Sequence, residues 1–269
     1  MLIENYTLQF VFFLFTKLFP FTVIINGERA TMNISKKIKK ILKNINGLNI
    51  NLNETEIIYL GVGKTNESYL LNYENNKLVL RLNSKNYLKL GIDRKSELEI
   101  LKSLKKARIA PNIIYCDDSY EFLIYEYIEG SNLELDKITK KDKNSLRDLI
   151  QIYQEIKVDL PKFDYFNHLS KYRDHLIKNK KIDFFQNNEI NIFFHKLKKF
   201  QELDWPPKIT HHDLISNVIR TKNGFKILDW EYAGNGHPDF DFCSLDSKKE
   251  NNKFIKQLIK FTNDFWYQV

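Results

Sequence analysis

Apolar residues at positions 34, 38, 41 and 42 recur at helical spacing and predict an amphipathic helix over residues 34–42. A short apolar run at 57–60 predicts a strand, and Gly61-Val62-Gly63-Lys64-Thr65-Asn66 a flexible turn after it. Residues 69–73 and 78–82 read as two strands joined by the polar turn 74–77. Residues 93–106 carry Leu98, Leu101 and Leu104 on one side, and Pro111 stops that helix. Two more strands follow at 113–115 and 122–128, with Glu129-Gly130 ending the second. Beyond Gly130 the period becomes helical, over 146–156, 166–178 and 190–203, until Pro206-Pro207 breaks the pattern. A hairpin of 218–220 and 225–228 then turns at 221–224. Five strands around one helix, followed by helices, predict a two-lobed α+β fold. The sheet-rich N-lobe takes residues 32–129 and the helical C-lobe residues 130–269, with a cleft between them.

Composition changes this picture little. The 269 residues suffice for two lobes with a sizeable core, and 20 Phe with 14 Tyr argue against disorder. The net charge of +8 comes from 35 Lys against 7 Arg, and with 28 Asn this fits an AT-rich coding sequence. A nucleic-acid partner would show clustered Arg on a known motif, so none is expected, and the lysines read as solvated faces. Cys116 and Cys243 stand far apart without metal-ligand spacing, as in a reducing, cytoplasmic setting.

Residues 1–31 differ from the rest. The run Phe10-Val-Phe-Phe-Leu-Phe15 is apolar, but Lys17 and Pro20 interrupt it, so no membrane span is expected. Gly27-Glu28 can be encoded by GGAGAG, a ribosome-binding sequence, shortly before Met32. A misplaced start is the preferred reading of this extension, ahead of a membrane anchor and a genuine cytosolic segment.

The candidate chemistry lies near the end of the chain. The segment Ile209-Thr-His211-His-Asp213-Leu-Ile-Ser-Asn217 is followed, sixteen residues after Asp213, by Asp229-Trp230-Glu231-Tyr232. Phosphoryl transfer needs a positioned carboxylate to accept a hydroxyl proton, which suits Asp213. Magnesium prefers carboxylate and amide oxygens together with phosphate, which suits Asp229 at a strand end and Asn217. Flexible residues at Gly63, next to Thr65 and Asn66, would let backbone N–H groups approach phosphates. Arg81, always charged, can fork onto phosphate oxygens.

With these residues in place, the chain resembles the aminoglycoside phosphotransferase and choline kinase superfamily over residues 54–245. It looks most like the bacterial choline/ethanolamine kinase branch, with thiamine kinase close behind. The resemblance implies a protein-kinase-like fold, ATP and Mg2+, and a small cationic alcohol as acceptor. It makes Asp213 the catalytic base and His211 a structural member of its motif. Asn217 and Asp229 become the metal ligands, and Asp241 the brace of the catalytic loop. It pairs Arg81 with Glu97 and puts the backbone of the stretch Glu126 to Ile128 against adenine. Trp230, Glu231 and Tyr232 would face a quaternary ammonium, which favours aromatic faces beside a carboxylate. Two departures stand out. Asn217 lies four residues after Asp213 where the family has five, and only 24 residues follow Leu245. Thiamine kinase, aminoglycoside phosphotransferase and a non-catalytic nucleotide-binding protein are the alternatives.

A chain begun at Met32 is expected to be soluble and as active as the full one, because the kinase-like elements lie beyond residue 31 and residues 10–15 would be an exposed apolar liability. Loss of folding in the shortened chain, judged by circular dichroism, would refute this.

Overall fold

The computed structural model describes residues 28–45, 48, 50–74, 76–134, 137–179, 188–246 and 252–269. The apolar run at 10–15 lies outside them. Among the described residues no helix is long and apolar enough to cross a membrane. The chain forms two compact units, one of residues up to 84 and 113–128, the other of 85–112 and 129–269.

The first unit holds helix α1 (Glu28–Lys43) and the strands β1 (Glu56–Val62), β2 (Asn66–Tyr73), β3 (Asn76–Asn83), β4 (Ile113–Cys116) and β5 (Phe122–Glu126). They form one sheet in the order β1-β2-β3-β5-β4, antiparallel at every pairing. Register puts Leu80 opposite both Tyr69 and Ile124, so these three side chains share the buried face. Alternation along β2 sends Tyr69 and Leu71 inward with them. Ile38 and Leu42, one helical turn apart on α1, join the same core, as does Ile45 just beyond the helix. The helix begins at Glu28, so Met32 falls inside it.

The helix predicted over 93–106 is α2 (Arg94–Leu104), and it clusters with the second unit. The helix whose side chains enter the sheet core is instead α1. Asp93 caps α2, its carboxylate accepting from the N–H groups of Lys95 and Ser96.

The second unit continues with β6 (Ser131–Asn132), α3 (Lys140–Gln154), α4 (Tyr165–Lys178), α5 (Asn188–Glu202), β7 (Lys208–Thr210), β8 (Val218–Thr221), β9 (Gly224–Ile227), β10 (Gly234–Gly236), α6 (Asp239–Leu245) and α7 (Lys253–Gln268). Helix α3 starts six residues before its apolar period because Thr139 and Asp142 form a reciprocal cap. Arg220 on β8 then holds Asp142 through both guanidinium ends at 2.9 Å. Two small sheets, β6-β8-β9 and β7-β10, frame the loops that carry the candidate chemistry. Gly130 leads the chain onto β8. A Cβ there would lie 2.3 Å from the Arg220 carbonyl oxygen, so only glycine fits. Beneath these sheets α4, α5, α6 and α7 bury an aromatic core that includes Tyr172, Phe193, Phe240, Phe261 and Phe265. Phe193 and Phe261 stack at 4.1 Å between centroids. Cys116 is half-buried and Cys243 buried.

Candidate active site

Strand β7 delivers the chain to His211, and the next seven residues are held mainly from below. Asp241, fully buried on α6, accepts hydrogen bonds from the N–H groups of His211 (2.7 Å) and His212 (3.1 Å) and from the Tyr153 hydroxyl (2.5 Å). Burial pushes the Asp241 pKa up while these donors oppose the rise.

His211 is neutral, and its tautomer follows from its partners. Its Nε2 faces the Leu228 carbonyl oxygen at 2.8 Å, which can only accept, so Nε2 carries the proton. Its Nδ1 accepts the Asp213 N–H at 3.2 Å. Burial lowers the His211 pKa, in keeping with this state. One imidazole thus joins the backbone of the Asp213 loop to the residue before Asp229.

His212 takes a left-handed backbone, φ 66°. Its Nδ1 donates to the Tyr232 carbonyl at 2.8 Å, and its Nε2 accepts from the Tyr165 hydroxyl at 2.9 Å. That hydroxyl accepts in turn from the His237 N–H. The network leaves no room at Gly236, where a Cβ would lie 2.5 Å from His212 Nε2.

Asp213 is half-buried at the end of this scaffold. Its Oδ1 accepts from the Ser216 hydroxyl at 3.0 Å. Asn217 Nδ2 donates to Asp213 Oδ2 (3.1 Å) and to the Asp213 carbonyl (2.7 Å). This closes the loop that is one residue shorter than in the family motif. Both amide protons being used, the polar group that Asn217 has left is its amide oxygen. The Asn217 carbonyl accepts the Leu228 N–H at 2.8 Å, a second tie between the two loops.

Asp229 follows β9, exposed and also left-handed at φ 54°. The next side chain turns the other way. Trp230 is 1% exposed, donates from Nε1 to the Ile227 carbonyl, and packs edge-on against Tyr153 and His211. The expectation that it faces a ligand is therefore corrected: a fully buried indole offers no face to a ligand. Glu231 is 5% exposed, with Arg94 Nη1 3.0 Å from its Oε2. Tyr232 is half-buried, and its hydroxyl accepts from Trp266 Nε1 at 2.7 Å. Burial raises the Tyr172 pKa, and the charges of Glu231 and Asp213 both add to the rise.

Magnesium fits this donor set. Among the described residues no three His, Cys, Asp or Glu side chains form a metal-binding group. Mg2+ is commonly held by one or two carboxylates with substrate phosphates, and the exposed Asp229 carboxylate, on a segment tied at Leu228 to Asn217, offers that chemistry.

The remaining sequence-predicted residues lie in the first unit, apart from Glu97. Gly63 donates its N–H to the Asn66 carbonyl at 2.8 Å, which closes the turn between β1 and β2. Thr65 is buried; its hydroxyl accepts from Asn66 Nδ2, and its carbonyl accepts from the Ser84 N–H. Arg81 is buried on β3, with Nε donating to Asn83 Oδ1 at 3.1 Å. Glu126 ends β5 opposite Leu78, and Ile128 closes the unit. Glu97 lies on α2 in the other unit and is bound by Arg94 at 2.9 Å. Sequence reasoning missed Arg94, Tyr153 and Ser216. The i, i+3 spacing of Arg94 and Glu97 at a capped helix start was the available signal for the first.

The sequence matches the phosphotransferase enzyme family over residues 56–246. Comparison with curated proteins gives no match. Among solved structures the chain is similar to a choline kinase from Streptococcus pneumoniae (23% identity, 87% of this chain and 80% of that one, TM-score 0.64). It is similar also to a Plasmodium vivax ethanolamine kinase (16%, 93% and 80%, TM-score 0.65). A spectinomycin phosphotransferase solved with ADP and spectinomycin matches at 17%, 86% and 79%, TM-score 0.54. The likeness shows the fold: α+β and protein-kinase-like, with a five-stranded antiparallel sheet followed by a helical part.

Burial pushes His168 down to about 4 and His212 to about 3. Protons therefore bind the unfolded chain first. Stability is full above about pH 6.5 and falls as acid titrates the unfolded histidines, by at most about 2 kcal/mol each at pH 5. Urea midpoints should drop between pH 7 and pH 5; equal midpoints would contradict the buried neutral state.

Proposed function

We propose a reaction for a chain that, by its match over residues 56–246, belongs to the phosphotransferase enzyme family: transfer of the γ-phosphate of ATP to the hydroxyl of a small cationic alcohol, of the choline or ethanolamine kind. The carrying observation is the Asp213 carboxylate, half-buried and fixed through its loop by Asp241, His211 and Asn217. A carboxylate so held can orient the acceptor hydroxyl and take its proton as the oxygen–phosphorus bond forms and the bond to the leaving diphosphate breaks. Asn217 and Asp229 would hold Mg2+, which neutralises phosphate charge when bound. Neutral His211 keeps the two loops in register without adding a charge beside the base.

In the first unit the Gly63–Asn66 turn, Arg81 and the Glu126–Ile128 backbone would serve phosphates and adenine. The ADP complex of the spectinomycin enzyme supports a nucleotide in this family. The choline and ethanolamine kinases among the similar structures support the acceptor class. With Trp230 in the core, the aromatic contribution falls to Tyr232. A second reading, nucleotide binding without turnover, draws on the shortened loop, in which the Asn217 amide grips Asp213 itself.

Asp213→Asn should lower turnover by roughly 10²–10⁴-fold while nucleotide still binds. Asp229→Ala should instead weaken metal-dependent nucleotide binding. Steady-state rates with calorimetric titration of MgATP separate the two, and near-normal turnover in Asp213→Asn would remove the base assignment.

Acceptor choice is tested by kcat/KM for choline, ethanolamine, thiamine and kanamycin. Choline or ethanolamine should lead. Preference for thiamine would correct the pocket alone, preference for kanamycin would overturn the acceptor class, and ATP bound but no acceptor used would establish the second reading.

A further inference from the structure

Asp229 sits at a left-handed corner, and a residue other than glycine or asparagine holds that backbone at a cost unless its flanks are fixed. Upstream, the ties from His211 and Asn217 to Leu228 do this. Downstream, Trp230 Nε1 binds the Ile227 carbonyl and the Ala233 N–H binds the Trp230 carbonyl. Both of these bonds are local to the corner. Further along, the His212 Nδ1–Tyr232 carbonyl and Trp266 Nε1–Tyr232 hydroxyl bonds hold residue 232, and Arg94 ties Glu231 to a distant element. This guanidinium is 3% exposed at the first turn of α2, and its Nη1 lies 2.9 Å from Glu97 Oε2 and 3.0 Å from Glu231 Oε2. Each of its two protons has one carboxylate. Its Cζ stands 5.7 Å from the centre of the Tyr87 ring. The base of α2 is fixed in turn: Asp93 caps it, and the Tyr172 hydroxyl donates to the Leu90 carbonyl at 2.9 Å.

Surface pairs such as Lys260–Asp264 contribute little. A buried guanidinium between two carboxylates of 2% and 5% exposure is different, since removing it strands two buried charges. We infer that Arg94 is a positioning residue for the metal site: by clamping Glu231 to α2 it fixes the downstream flank of Asp229 and thereby the carboxylate that would hold the cation. This rests on the reading of Asp229 as a metal ligand, and the test separates the two.

The probe is Mn2+, followed by electron paramagnetic resonance on the full chain with a non-hydrolysable ATP analogue. The same analogue is also titrated without metal. Arg94→Met should weaken Mn2+ binding in the nucleotide complex about 10-fold or more, the loss seen when partners of metal ligands are removed, with metal-free nucleotide affinity unchanged. Arg94→Lys, which keeps the charge, should recover part of the loss. Glu231→Gln leaves the Arg94–Glu97 pair standing and should weaken Mn2+ likewise, which keeps the inference testable should Arg94→Met fail to fold. Unaltered Mn2+ affinity in Arg94→Lys and Glu231→Gln, with only the melting temperature lowered, would reduce Arg94 to a structural role and overturn the inference. Mn2+ affinity unaltered by Asp229→Ala, or absent in the unsubstituted chain, would overturn the metal-ligand reading and this inference with it.

Discussion

The carboxylate of Asp241 is the constraint on which the second unit's chemistry depends. Two consecutive backbone N–H groups, those of His211 and His212, point at one side chain, and the Tyr153 hydroxyl joins them. A buried carboxylate is costly unless its oxygens are satisfied, and here three donors meet it. In return the start of the Asp213 loop has one position. Everything downstream is built outward from that point: His211 onto Leu228, Asn217 onto Asp213, and His212 onto Tyr232.

The two left-handed residues, His212 and Asp229, show how that rigidity is used. Each stands where the chain must turn so that neighbouring side chains serve different ends. After His212 the chain presents Asp213 half-buried, while the imidazole of His212 packs inward against Phe163 and Phe240. At Asp229 the carboxylate is exposed and the next indole is core. Such backbone geometry persists only where the surroundings over-determine it, and the dense hydrogen bonding on both flanks supplies this.

These corners also mark the limit of what the sequence discloses. The long periodic elements were legible: α4 and α5 lie within two residues of their predicted bounds, and all five strands of the sheet were found. Strands β6, β7 and β10, two or three residues each, are too short to carry a period. Helix α7 has a readable start at Asn252 and apolar residues at 255, 258, 261 and 265. Trp230 misled because adjacency to Asp229 was read as a shared direction, and a positive φ is not written in residue type. The grouping of α2 with the helical unit was likewise hidden, since it depends on the meeting of Arg94 with a residue 137 positions away.

Helix α7 bears on the same question of what holds the flank of Asp229. Helix α7 puts Phe261 and Phe265 into the aromatic core, and Trp266 reaches the Tyr232 hydroxyl. Tyr172, whose charge state is coupled to that of Tyr232, gives its own hydroxyl to Leu90 just before α2. Phenols and an indole thus link the last helix, the loop after Asp229 and the approach to α2, in parallel with the ionic tie through Arg94. The two ties differ in kind. The ion pair fixes Glu231 by charge, with strong dependence on geometry and burial. The aromatic chain fixes Tyr232 through neutral hydrogen bonds and packing, which tolerate small shifts. Consecutive residues, 231 and 232, are therefore held from opposite directions by different forces. That arrangement keeps the flank of Asp229 in place while leaving Tyr232 half-buried.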